Sequence, residues 1–111
     1  MDIDVRINGK SLSVAVDNPH RYDIAGIMKD IDSFGKENGV DLAPFELERL
    51  IPVMIRGVAG CEAGCPSDAM GVVRRGFGNF KLSYVEGGIL TAVQSLENGV
   101  PLEVKIFPEF G

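Results

Sequence analysis

The sequence predicts an α+β fold: a single domain over residues 1–111, with an antiparallel sheet of about five strands packed under two to three helices on one face. Three observations carry this expectation. The first sixteen residues alternate apolar and polar about an Asn-Gly turn. The middle of the chain places apolar residues at helical spacing, and the end of the chain returns to alternation between Gly-rich turns.

The N-terminal hairpin rests on Ile3, Val5 and Ile7, then Asn8-Gly9 for the positive φ angles of a type I′ turn, then Leu12, Val14 and Val16. Asp2 and Asp4 flank the first strand, where they are expected to guard a sheet edge. Asp17-Asn18-Pro19 offers a helix start, and Ile24, Ile27, Met28, Ile31 and Phe34 recur at helical spacing until Asn38-Gly39 stops them. A second start at Asp41 to Pro44 leads into Phe45, Leu47, Leu50 and Ile51, with Pro52 expected to end or kink the helix. Val53 to Val58 fits either more helix or a short buried strand. A short helix after Cys65-Pro66-Ser67-Asp68 is expected to end near Gly76, followed by a strand through Phe80, Leu82 and Tyr84. Ile89 to Leu96 fits a helix or a strand. The strand is favoured because, with Leu102, Val104 and Ile106, it completes a meander.

Composition narrows the function classes. With 111 residues, 45% hydrophobic and 24% charged, the chain suffices for one self-supporting core, hiding roughly two-thirds of its unfolded surface. A formal charge of -5 argues against nucleic acid and anionic lipid. The longest apolar run, Leu50 to Ile55, is six residues and contains Pro52, against the ~20 needed to span a bilayer. Met1 to Asp4 lacks the pattern of a secretory signal, so the expected compartment is the cytoplasm.

Functional information concentrates at Cys61 and Cys65, which stand among Gly57, Gly60 and Gly64. If Cys65 caps the helix opening at Pro66, its sulfur meets unpaired N–H groups and the positive helix end, which favours a thiolate. Arg56, Arg74, Arg75 and Lys81 outnumber Glu62 and Asp68 locally and push the same way. Two alternatives stand beside this. Both cysteines can be small core fillers with no cofactor. They can also form a local disulfide, which would require a loop at Cys61.

Cys61-x3-Cys65-Pro66-x-Asp68-Ala69 resembles the closing half of the bacterial ferredoxin run C-x2-C-x2-C-x3-C-P, with Ile55 and Val58 where the earlier cysteines would stand. Gly60-Cys61-Glu62-Ala63-Gly64-Cys65, followed by Phe80 to Tyr84 and Gly87-Gly88, is similar in order to the cluster-holding segment of siroheme nitrite and sulfite reductases, again without the second cysteine pair. The resemblance implies an iron–sulfur cluster or metal completed by two ligands from a second chain or another protein.

Other signals are weaker. Arg75-Gly76-Phe77-Gly78 matches the start of an RNA-binding RNP1 signature, but it follows a helix in an acidic chain, so Phe77 is expected to pack inward. His20 is the one histidine, expected at an exposed helix start, and makes no zinc pattern with two distant cysteines. Asp23, Asp30, Asp32 and Glu37 interleave with Lys29 and Lys36 as a solvated helix face. No acid–base pair is evident, so an enzyme acting alone is not expected.

The function expected is that of a small soluble accessory protein that meets a redox partner or metal centre through Cys61 and Cys65, with Gly60, Gly64, Pro66, Arg74 and Arg75 in support. The alternative is a non-catalytic protein-interaction module with structural cysteines. A final strand, Leu102 to Phe107, running into Pro108 and Phe110 would leave aromatic surface at a sheet edge. That surface suggests a homodimer, in which two cysteine pairs would supply four thiolates.

Overall fold

A computed structural model describes residues 1–85 and 87–108. Strands β1 (Asp2–Ile7) and β2 (Lys10–Ala15) form the N-terminal hairpin. Helix α1 (Ile24–Glu37), a 3-10 turn (Ala43–Phe45), α2 (Leu47–Glu62) and α3 (Ser67–Arg75) follow, and the meander β3 (Lys81–Val85), β4 (Ile89–Ser95), β5 (Pro101–Phe107) completes the sheet. The sheet is antiparallel in the order β2-β1-β5-β4-β3.

Alternation in the strands becomes rows across the sheet. One row runs Val14, Ile3, Ile106, Leu90 and Tyr84; the next runs Leu12, Val5, Val104, Ala92 and Leu82. Within these rows the residues of β1, β4 and β5 are wholly buried, while those of the outer strands β2 and β3 are half-buried. The helices cover this face with Ile27, Ile31 and Phe34 of α1 and Leu47, Leu50, Ile51, Met54, Ile55 and Val58 of α2, giving one contiguous core. The radius of gyration, 13.2 Å, matches the value of about 13 Å expected for one body of this length. Among the described residues no helix is long and apolar enough to cross a membrane.

The Asn8-Gly9 turn has the expected positive φ at both residues, 53° and 79°. Helix α1 begins later than the sequence suggested, because Asn18 closes a local turn instead of capping a helix. Its side-chain oxygen accepts from the His20 N–H at 2.9 Å and its carbonyl from the Arg21 N–H at 3.1 Å. Asp23 takes the cap position. Pro52 does not end α2. It lies inside the sixteen-residue helix, and the carbonyl its missing N–H leaves unbonded belongs to Glu48, an exposed residue of the first turn. Val53 to Val58 is therefore helical, and so is Cys61, where a loop would have been needed for a local disulfide.

Two expectations about edges are overturned. Leu102 to Phe107 is the central strand, paired with β1 on one side and β4 on the other, so it leaves no open edge. Phe110 lies outside the described residues. Asp2 and Asp4 likewise sit on a strand with neighbours on both sides and guard no edge; the edges are β2 and β3. Phe80, expected in the strand, belongs to the preceding turn, where it is buried edge-on against Phe45 with ring centroids 6.4 Å apart. Phe77 is half-buried against the core and bridges to Phe80, as an inward-packing residue should.

Candidate functional site

Helices α2 and α3 form a tight hairpin, with Cys61 in the last turn of α2 and Cys65 in the connector. The close approach depends on glycine. A Cβ placed on Gly57 would lie 3.2 Å from the Cα of Ala69 and from Cγ2 of Val72, and one placed on Gly60 would lie 2.6 Å from the Cβ of Asp68. The two glycines thus keep the facing side of α2 bare where Asp68, Ala69 and Val72 of α3 press on it.

The end of α2 is a Schellman cap. The N–H of Gly64 donates to the Cys61 carbonyl at 3.0 Å and the N–H of Cys65 to the Gly60 carbonyl at 2.7 Å, with Gly64 in the left-handed region at φ 86°. Pro66 follows where a helix cannot continue and becomes the first flanking residue of α3. Gly60, Gly64 and Pro66 therefore each have a backbone reason for their place.

This geometry corrects the expectation that Cys65 caps α3. Pro66 occupies that position and makes no side-chain cap bond. The Cys65 Sγ is 3.1 Å from the Ser67 Oγ and 3.8 Å from Oδ1 of Asp68. Cys65 is exposed, Cys61 is half-buried, and both are free thiols. Cys61 lies beside Tyr84 of β3, and this neighbour first, with burial behind it, raises the Tyr84 phenol above its ordinary value of 10.0.

Arg74 and Arg75 stand in the last turn of α3, about 12 Å along the axis from its start. Their backbone positions favour the negative end of the helix, not the cysteines. Arg56, on α2, instead lies at the boundary of two surface hollows over the helical hairpin. It also sits beside Tyr22, whose phenol is raised by burial and lowered by the Arg56 charge, with burial the larger effect. His20 is exposed in the loop before α1 and lines one of these hollows. No local pattern foretells that His20, Tyr22 and Arg56 converge, because that depends on the turn at Asn18 folding the loop onto α2.

Among the described residues no three His, Cys, Asp or Glu side chains gather as a metal-holding group, so a metal at Cys61 and Cys65 would need further ligands from outside these residues. No family model, curated protein or solved structure matches the chain.

Proposed function

We propose that the protein is a thiol-exchange accessory protein whose working end is the α2–α3 connector. The observation that carries this reading is an exposed free Cys65 with a second free thiol, Cys61, four residues behind it at the same helix end. In the reaction envisaged, the Cys65 sulfur, after losing its proton, attacks one sulfur of a partner's disulfide. A mixed disulfide forms and the partner's other sulfur leaves as a thiolate. Cys61 then attacks the Cys65 sulfur and releases the second partner thiolate, leaving a Cys61–Cys65 bridge and a partner reduced by two electrons; the two protons given up by the cysteines balance the two partner thiolates. The last turn of α2 has to open for this, since Cys61 begins inside it.

Glutathione disulfide serves as the test partner. Mass spectrometry of the wild-type chain should show loss of two hydrogens, and Cys61→Ser should accumulate one glutathione on Cys65. A wild-type chain that neither loses the two hydrogens nor takes up glutathione overturns the reading.

A second reading, a non-catalytic interaction module, is favoured by the glycines: close packing accounts for Gly57 and Gly60, and the helix cap for Gly64. Under it the cysteines have no exchange role, and the same experiment returns two unchanged thiols.

A further inference from the structure

We propose that the saddle over the α2–α3 hairpin binds a small organic anion, with its oxyanion on Arg56 and Arg75 and its apolar body against Pro19, Tyr22 and Pro52. Two hollows of about 490 and about 450 Å³ meet there, and Arg56 and Asp68 line both. Each is of a size that holds a small ligand.

The two hollows differ in chemistry. In the first, proline rings and the Ala59 and Ala63 methyls form apolar walls, and the Tyr22 hydroxyl and His20 imidazole supply polar tips. In the second, Gly57 and Gly71 leave the floor open between the helices, and Arg56, Arg75 and the Ser67 hydroxyl supply donors. The Arg75 side chain folds back along α3, so that its guanidinium lies 3.8 Å from where a Gly71 Cβ would stand. Among the described residues neither arginine has a carboxylate partner, although the chain carries a net -5. Two unpaired guanidiniums facing one hollow match the oxygens of a phosphate monoester or a carboxylate. Asp68, whose Oδ1 is turned to Cys65, is the one acidic side chain on the shared wall and steers the anion to the Arg75 side.

The site does not depend on thiol exchange, and its test leaves the cysteines alone. Phenyl phosphate, benzoate and phenol are titrated into the full chain and followed by amide NMR. At least one of the two anions should shift the amides of residues 67–72 and 20–22 saturably, and phenol should not. Which anion binds more tightly distinguishes a phosphate ligand from a carboxylate. Arg56→Gln should weaken binding by about tenfold or more. Arg49→Gln, which removes an exposed α2 arginine paired with Glu46, should leave it unchanged. No saturable shift with either anion, equal shifts with phenol, or equal weakening by the two variants overturns the proposal.

Discussion

Tyr84 of β3 lies beside Cys61 in the last turn of α2, so the one phenol on the edge strand reports on the half-buried cysteine. The sequence has two tyrosines and no tryptophan, which leaves the phenolate absorbance band easy to read. Both phenols are raised above 10.0, Tyr84 first by the neighbouring Cys61 and Tyr22 first by burial. A folded value above the unfolded one means that the protonated phenols contribute stability fully below about 10, and that this contribution is lost as pH rises through the folded values. Spectrophotometric titration of the wild type should therefore show both phenols ionising late. Cys61→Ala should move one of them back toward its ordinary value and leave the other in place. An unchanged titration in the variant would show that the two side chains do not interact.

Gly60→Ala tests the helical hairpin. The added methyl would meet the Cβ of Asp68, close to its backbone, so α2 and α3 must separate. Overpacking of this kind costs about 1–3 kcal/mol, and the better helix propensity of alanine returns up to about 1 kcal/mol. A net loss of about 1–2 kcal/mol is expected in urea denaturation. A stabilised variant would mean that the helices are not in such close contact.

Gly64→Ala addresses the cap alone, since open space surrounds that Cα but φ is 86°. The strain of a left-handed alanine should cost about 1 kcal/mol. Gly64→Asn, which tolerates that conformation better, should recover part of the loss. Equal stability of all three proteins would remove the cap.

Much of the fold was legible because local chemistry and tertiary context agree. Asn8-Gly9 specifies a turn that the flanking alternation needs, and Asn38-Gly39 stops α1 with the same Schellman bonds that end α2: Gly39 N–H to the Lys36 carbonyl at 3.0 Å and Val40 N–H to the Gly35 carbonyl at 2.8 Å. At Ala63-Gly64 the identical stop was hidden by the cysteines beside it, which drew the segment toward a cluster loop. Pro52 misled for a physical reason: a proline near an exposed first turn removes one hydrogen bond without breaking a helix whose inner face is fully buried. The strand order was not legible from periodicity. Leu102, Val104 and Ile106 alternate as an edge strand would, and only pairing with β1 as well as β4 makes them central. The grouping of Tyr22, Arg56 and Asp68 was equally invisible, since it depends on how a loop crosses two helices.

That central placement yields the last prediction. Leu102 is fully buried on β5, opposite Ile7 of β1 and Gln94 of β4, whereas Leu12 is half-buried on the edge strand β2 with Val5 its one cross-strand partner. Truncating a wholly enclosed leucine removes its transfer free energy and leaves a cavity, so Leu102→Ala should cost about 2–5 kcal/mol. At Leu12 water already reaches part of the side chain and can occupy the space left behind, so Leu12→Ala should cost less than about 2 kcal/mol. The two midpoints in urea should separate accordingly while the slopes stay alike. If the two variants lost equal stability, β5 would not lie at the centre of the sheet.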